Sequence, residues 1–353
     1  MLILRVPDIG DGLSGAIYTR QGASIQIDCG SQQSAREAFE KGMFHTNPDF
    51  FILSHFHSDH YNGLFEGVRA KKRFPIEQAI MPVIPQFIER KEFVHCLFAM
   101  NARVLGGSSG SMDYDFLSVM NQLSKHQISY RRVKKGDEVV LGDTHIQVLW
   151  PPQELKDDKI LSSVKKALGK FDEAIKQDDI LKKIYNSLDE KGVLEPYLSE
   201  NEAVKPSDLV SSDFQSSPMK RDSIPDVTEE ANKALRSVAN RLSLGFRVDS
   251  QLLFLGDLES NEINSVVDDL EAEQRLRFPI MLTPHHGTHW NNRMLNLSIG
   301  VAVSSVGKKL FGKVKPDYKD IVDHHLLTHA EGEVVLSTYF GLLRKNMPWW
   351  YLL

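Results

Sequence analysis

Short apolar runs, separated by glycine, proline and aspartate, recur in the first 150 residues and again after residue 240. Such runs favour β-strands, whereas apolar positions spaced three and four apart favour helices. The predicted strands cover residues 2–6, 16–18, 24–28, 50–54, 79–83, 130–133, 138–141, 145–150, 242–248, 252–255, 278–282, 300–305 and 333–337. The predicted helices cover residues 33–44, 64–72, 113–125, 260–276 and 320–328. Strands and helices in this order predict an α/β fold.

The pattern changes after Pro151-Pro152. Residues 153–236 are rich in lysine, aspartate, glutamate and serine, with helical periodicity at 160–188 and 227–238 and a serine- and proline-containing loop between them. We interpret 153–236 as a charged helical subdomain inserted between two halves of one domain, residues 1–152 and 237–353. Such an insertion covers an active site, carries a surface for a protein partner, or is a solvated spacer.

Composition narrows the class of protein. With 41% hydrophobic and 25% charged residues, the 353-residue chain is typical of globular proteins. It has no apolar stretch of membrane-spanning length and no secretory signal, so we expect a cytoplasmic protein that does not enter a membrane. Its two cysteines, Cys29 and Cys96, fit a reducing compartment. A net charge of −5 argues against a general nucleic-acid coat protein but leaves room for a phosphate site built on cations.

Four potential metal ligands follow the predicted strand 50–54 within six residues. We call this sequence, His55-Phe56-His57-Ser58-Asp59-His60, the histidine cluster. Imidazole nitrogen and carboxylate oxygen suit zinc or manganese. A purely structural role is disfavoured, because so many ionisable groups at one strand end are hard to accommodate without a cation.

Three other predicted strands also end in potential ligands. Asp28 ends strand 24–28, Asp257 follows strand 252–255, and His285 with His286 follows strand 278–282. For Asp28, a helix cap or turn residue is the simpler alternative. Ligands that recur at strand ends predict one site assembled at one edge of a sheet.

These motifs together resemble the metallo-β-lactamase fold and, within it, the soluble hydrolase domain of ComEC-type DNA-uptake proteins. The histidine cluster matches the feature common to the whole fold. The segments that resemble the ComEC-type branch are residues 8–10 with 27–30, residues 240–244 ahead of Gly256-Asp257, and residues 284–288.

The resemblance implies a four-layer αββα sandwich with two divalent metal ions, zinc or manganese, at its edge. Two such ions would activate a bridging water as the hydroxide nucleophile. The implied metal ligands are His55 and His57 for one ion, Asp59, His60 and His285 for the other, and Asp257 between them. Asp59 would also orient the hydroxide, and His286 would protonate the leaving group, contact the oxyanion or simply pack. Asn240, Thr288 and Lys313 are candidate substrate contacts, and Asp28 has a supporting role.

The chain also departs from the family pattern. The metallo-β-lactamase superfamily often has a further histidine ligand before Asp257, and His95, His126 and His145 each lie in the wrong kind of segment. Where the ComEC-type proteins have Gly-His-Pro, this chain has Lys313, which favours an anionic substrate. ComEC-type proteins have membrane spans, and we find none here.

Three functions remain open from the sequence. The first is a dinuclear metal-dependent phosphodiesterase or nuclease, acting on nucleic acid or a nucleotide. The second is carbonyl hydrolysis of a thioester or lactam with the same metals. The third is a metal-stabilised binding module that recruits a protein partner through residues 153–236.

Overall fold

The computed structural model describes residues 2–31, 35–40, 47–105, 116–190, 194–199, 203–204, 224–339 and 342–345. Within these residues, two mixed β-sheets pack face to face, and helices cover their outer faces. The predicted α/β class and the four-layer αββα sandwich are therefore confirmed.

The elements alternate along the chain as the hydrophobic pattern predicts. The strands are β1 (Ile3–Val6), β2 (Gly15–Tyr18), β3 (Ser24–Ile27), β4 (Phe50–Ile52), β5 (Gln78–Pro82), β6 (Ser129–Val133), β7 (Glu138–Leu141), β8 (Thr144–Trp150), β9 (Ala203–Val204), β10 (Gly245–Val248), β11 (Leu252–Phe254), β12 (Arg277–Leu282), β13 (Ser298–Ser304), β14 (Val322–Leu327), β15 (Val334–Tyr339) and β16 (Leu342–Lys345). The α-helices are α1 (Ala35–Glu40), α2 (Ser58–Arg69), α3 (Arg90–Val104), α4 (Phe116–Leu123), α5 (Asp158–Ala174), α6 (Asp179–Glu190), α7 (Glu195–Leu198), α8 (Asp226–Arg241), α9 (Ser260–Ala272), α10 (Lys308–Phe311) and α11 (Thr328–Glu331). Short 3₁₀ turns cover Pro284–Gly287, Asn292–Asn296 and Pro316–Asp320.

Each sheet contains a parallel block whose strands end at one edge. The first sheet has the order β16-β15-β1-β2-β3-β4-β5-β6-β9, and β3 to β6 run parallel. The second sheet has the order β14-β13-β12-β11-β10-β8-β7, and β11 to β14 run parallel. In open α/β sheets, such carboxyl-terminal edges are where ligands bind.

Alternating side chains divide the apolar residues between two cores. Ile52 of β4 and Phe254 of β11 point into the space between the sheets, while their neighbours Phe51 and Leu253 face the outer helices. This period of two follows from the pleat of a strand. Strands buried on both faces read as continuous apolar runs, which explains why the sequence pattern located them.

The helices of segment 153–236 pack into the same core as the first sheet. Phe171 of α5 and Leu235 of α8 join a cluster that includes Val94 of α3 and Phe51 of β4. The predicted boundary at residue 236 falls inside α8, which continues to Arg241. The segment is therefore continuous with the helical layer over the first sheet.

Two features of the fold differ from the sequence-based expectation. The predicted helix over 320–328 is wrong, because Val322–Leu327 is strand β14, which pairs in parallel with β13. Its aspartate and histidines are weak helix formers, so pairing with a neighbouring strand decides its conformation. Helix α3 was not predicted, since every residue from Phe93 to Arg103 is buried and the amphipathic pattern is missing.

Other predicted elements differ in their bounds or number, or lie partly outside the described residues. Helix α2 begins at Ser58 rather than at 64, so it starts inside the histidine cluster. The predicted helical stretch 160–188 is two helices, α5 and α6, and the predicted lysine-bearing loop at 307–319 contains α10. Parts of the predicted helices 33–44 and 113–125 and most of the loop 199–224 lie outside the described residues. Among the described helices, none combines the length and the apolar character needed to span a bilayer.

One buried ion pair connects three helices of this layer. Asp178 precedes α6 and accepts hydrogen bonds from the Arg103 guanidinium of α3 at 2.9 and 3.2 Å. The Thr228 hydroxyl of α8 donates to the same carboxylate at 3.1 Å. Asp178 also accepts from the backbone N–H groups of Ile180 and Leu181, which caps α6. The pair therefore fixes α8 relative to α3.

We expect Asp178→Ala to lower the free energy of unfolding by about 3–5 kcal/mol, because the buried Arg103 charge loses its partner. The neighbouring Asp179 is exposed, so Asp179→Ala serves as the matched control, with an effect within about 0.5 kcal/mol. Urea unfolding followed by circular dichroism measures both. Equal effects of the two substitutions would contradict the role of the ion pair.

Candidate metal centre

The candidate ligands meet at the carboxyl ends of two adjacent parallel strands in each sheet. β3 and β4 pair with Ile27 opposite Ile52, and β11 and β12 pair with Phe254 opposite Leu282. The loops after these four strands carry Asp28, the histidine cluster, Asp257, and His285 with His286. The two sheets are joined at this edge by a hydrogen bond from the Leu244 N–H to the Ser54 carbonyl at 2.6 Å. Ligands from both sheets therefore converge.

A tight turn after β3 receives the start of α2. Asp28 has a left-handed φ of 50°, and the Cys29 N–H donates to the His60 carbonyl at 2.7 Å. Gly30 lies so close to α2 that a Cβ atom there would stand 1.8 Å from the Asp59 carbonyl oxygen. Only glycine fits this approach, which fixes the first turn of α2 and thus Asp59 and His60.

Two groups of three ligand atoms form within this edge. His55, His57 and His60 make the first group, and His60, Asp257 and His286 make the second. Within each group the ligand atoms lie no more than 4.8 Å apart. The His60 Nε2 lies 3.5 Å from Asp257 Oδ2, and the His286 Nε2 lies 3.9 Å from the same oxygen. His60 therefore belongs to both groups.

The chemistry of these donors fits divalent cations. The Nε2 atoms of His55 and His286 are buried and receive no hydrogen bond from any described residue. A buried polar atom without a partner costs about 1–3 kcal/mol. An uncharged imidazole nitrogen in this state is the form that binds a metal ion. The residues of both groups thus fit metal ligation better than a purely structural role.

Asp28 holds His60 from behind. Its Oδ2 lies 2.8 Å from the His60 Nδ1, and the Ser54 N–H and hydroxyl donate to its two oxygens at 2.7 and 2.6 Å. A carboxylate on one ring nitrogen leaves the other nitrogen directed at a metal. Here that other nitrogen, Nε2, faces Asp257. Asp28 is therefore a turn residue, as the simpler alternative proposed, and its side chain contacts Ser54 and His60 as well.

Burial and neighbouring charges shift the pKa values of these histidines in opposite directions. Burial, reinforced by nearby His60, lowers the pKa of His55 well below its usual value. Burial also lowers the pKa of His57 to about 4, although Asp59 opposes the shift. His60 behaves oppositely: burial lowers its pKa, but Asp257 and Asp28 outweigh burial and raise it well above the usual value. The two carboxylates therefore stabilise positive charge at this point of the site.

Asp257 and Asp59 are held in their ionised forms. Burial raises the pKa of Asp257, but His285, His60 and His286 together lower it well below its usual value. Burial also raises the pKa of Asp59, but His57 and Arg236 outweigh burial and lower it well below its usual value. Asp59 Oδ1 lies 2.7 Å from His57 Nδ1, and Asp59 Oδ2 accepts from Arg236 Nη2 at 3.0 Å. Arg236 was not predicted as a site residue, because it is one of many charged residues in its segment.

The two histidines after β12 occupy different environments. Both have left-handed backbones, with φ of 47° at His285 and 59° at His286. The His286 Nδ1 is 3.0 Å from the Ser305 carbonyl, and its side chain is 2% exposed. The His285 side chain is 24% exposed, and its Nε2 lies 3.9 Å from Asp257 Oδ2. His286 is thus held inside the second group, and His285 lies at its rim.

The predicted substrate contacts lie outside the two groups. Asn240 is buried in the last turn of α8, and the Thr288 hydroxyl donates to the His285 carbonyl at 2.7 Å. Lys313 is exposed after α10. In the described residues, none of the three is hydrogen-bonded to a side chain of either ligand group, and their roles stay predictions. The Lys315 N–H donates to the Gly287 carbonyl at 2.9 Å, which places the Lys315 backbone beside the loop that carries His285 and His286.

The three histidines considered for a further ligand lie elsewhere. His95 Nε2 is 2.7 Å from the Tyr185 carbonyl, and its ring stacks on Tyr185 with centroids 3.7 Å apart. His126 is exposed after α4, and His145 is exposed on β8 as expected. Among the described residues, neither ligand group gains a histidine from between the histidine cluster and Asp257.

No family model matches the chain. Ribonuclease Z of Methanopyrus kandleri is 28% identical over 146 residues, which are 40% of this chain and 41% of that relative. The match thus spans about two fifths of the relative's length.

Among solved structures, the metallo-β-lactamase fold protein YhfI from Bacillus subtilis has a TM-score of 0.42 and 9% identity, covering 98% of this chain and 100% of that chain. A diphosphatase from the PhnP family has a TM-score of 0.40 and 12% identity, covering 96% and 98%. The order of layers in this chain, with the histidine cluster at the strand ends, is the αββα order that the sequence resemblance predicts.

Proposed function

We propose that this chain is a metal-dependent phosphodiesterase that acts on nucleic acid or a nucleotide. The observation that carries the proposal is the meeting of two buried ligand groups, contributed by both sheets and sharing His60. Two adjacent groups of this kind suit a pair of divalent cations, for which zinc and manganese are the candidates.

In this proposal, His55 and His57 hold one ion, and His60, Asp257 and His286 hold the other. Asp59 completes the site through the oxygen that lies 2.7 Å from His57. When bound, a pair of such ions lowers the pKa of water and stabilises negative charge on a phosphoryl group. The chain's own part is to orient the ligands, exclude bulk water from them and supply hydrogen bonds at the rim.

The two histidines after β12 exchange the roles that the resemblance implies. His286 is the buried ligand, because the Ser305 carbonyl fixes its Nδ1 and leaves Nε2 towards Asp257. His285 is partly exposed and lies beside the second group. We assign to His285 Nε2 the hydrogen bond to the leaving oxygen.

Three observations favour a phosphodiester over a thioester or lactam. The matched curated relative is a ribonuclease Z, which is named for action on RNA. The Arg236 guanidinium adds a cationic group that contacts Asp59 beside the first ligand group, and the Lys315 backbone bonds to Gly287 after the two histidines. The motif pair at 240–244 and 284–288 resembles that of ComEC-type proteins, and this branch assignment stays part of the proposal.

We expect the manganese- or zinc-loaded chain to hydrolyse single-stranded DNA, RNA or a cyclic nucleotide. His286→Ala should lower kcat/KM by at least about 100-fold, since even outer-shell partners of a metal reach this loss. His126→Ala is the matched control and should leave kcat/KM unchanged, because His126 is exposed and precedes β6, whereas the histidine cluster follows β4, a parallel strand of the same sheet. Product formation is followed by chromatography.

Turnover of nitrocefin or a thioester, without turnover of any phosphodiester, would overturn the proposal in favour of carbonyl hydrolysis. Two bound metal ions without turnover of either class would favour a metal-stabilised binding module.

Metal content distinguishes the two histidine roles. We expect purified His286→Ala to retain one metal ion per chain where the unsubstituted chain retains two, because the second group loses a ligand. His285→Ala should retain both ions and lose activity. Elemental analysis after dialysis measures this. Loss of an ion from His285→Ala but not from His286→Ala would restore the roles implied by the resemblance.

A further inference from the structure

Helix α8 brings one arginine of the inserted segment onto the histidine cluster. Arg236 donates from Nη2 to Asp59 Oδ2 at 3.0 Å, across 177 residues of sequence. The Asp59 side chain is 7% exposed, whereas the Arg236 side chain is 34% exposed. Arg236 thus approaches a buried carboxylate from the solvent side.

Asp59 is oriented by this contact. One of its oxygens, Oδ2, is occupied by Arg236, and the other, Oδ1, lies 2.7 Å from His57 Nδ1 inside the first ligand group. A carboxylate on a rotatable side chain has two equivalent ways to face a metal. A charged hydrogen bond to one oxygen selects the orientation in which the other oxygen faces inward.

The helix that carries Arg236 is fixed at both ends. Near its start, the Thr228 hydroxyl donates to Asp178 at 3.1 Å. At its end, the Arg241 guanidinium pairs with Glu262 of α9 at 2.8 Å, and the Arg241 carbonyl accepts from the Trp150 indole at 2.8 Å. Helix α8 therefore holds the Arg236 backbone in a fixed place, as the positioning of a metal ligand requires.

We propose that Arg236 is a positioning residue for the metal centre, and that segment 153–236 is part of the site through it. The inference rests on the proposed metal-binding function but names a residue that neither the motifs nor the resemblance assign. Partners that orient a metal ligand contribute about 10- to 100-fold to metal affinity. Because the Arg236 guanidinium reaches solvent, we expect its ion pair with Asp59 to contribute less to folding stability than the fully buried pair of Arg103 and Asp178.

The test measures metal affinity rather than catalysis. Dissociation constants for Mn²⁺ and Zn²⁺ are determined by competition with a chromophoric chelator for the full chain and for R236Q, R236K and K233Q. We expect R236Q to raise the dissociation constant of one ion by about 10- to 100-fold. R236K should raise it by a smaller factor, because an ammonium group also donates to a carboxylate oxygen. Lys233 is exposed one turn earlier on α8, so K233Q should match the unsubstituted chain.

Thermal unfolding of the metal-free variants separates positioning from stability. Equal melting temperatures with weakened metal binding in R236Q support the inference, and unchanged dissociation constants in R236Q and R236K overturn it. If R236Q does not fold, R236K alone decides in the same way. An unsubstituted chain that binds both ions but cleaves no phosphodiester would contradict the proposed function and leave this inference standing. A chain that binds neither ion would contradict both.

Discussion

His60 is buried between two carboxylates that come from different sheets, and the rest of the site depends on this arrangement. Asp28, after β3, holds its Nδ1 at 2.8 Å, and Asp257, after β11, lies 3.5 Å from its Nε2. So much buried charge is unfavourable unless it is compensated. In the proposed site, a divalent cation beside His60, Asp257 and His286 would supply that compensation. The αββα architecture is what brings the two carboxylates to one imidazole.

The backbone around this centre adopts unfavourable conformations that allow the ligand-bearing loops and α2 to approach one another closely. Asp28, His285 and His286 all have left-handed backbones, which non-glycine residues adopt at a cost of about 1–3 kcal/mol each. Gly30 admits the first turn of α2 at a distance that no Cβ would permit. These conformations persist because the packing of the two sheets against each other and against the helices holds them in place. The core therefore maintains a strained edge at which ligand side chains converge.

The sequence predicts the parts of this arrangement that are encoded locally. Continuous apolar runs locate the central strands, and ligand residues placed directly after four of them predict one shared edge. The orientation of His285 and His286 is different, because it follows from a contact with Ser305 that is 19 residues away from His286. Strand β14 and helix α3 were missed for a related reason: their conformations depend on neighbouring elements rather than on their own pattern. No sequence motif identifies Arg236 as a site residue, because only the packing of α8 brings it to Asp59.

A crystal structure of the chain grown with Mn²⁺, with anomalous diffraction recorded at the manganese edge, tests the central claim most directly. The account predicts two anomalous peaks, one beside His55 and His57 and one beside His60, Asp257 and His286. Clear density for these side chains with no peak among them, or with the manganese bound elsewhere on the chain, would contradict it.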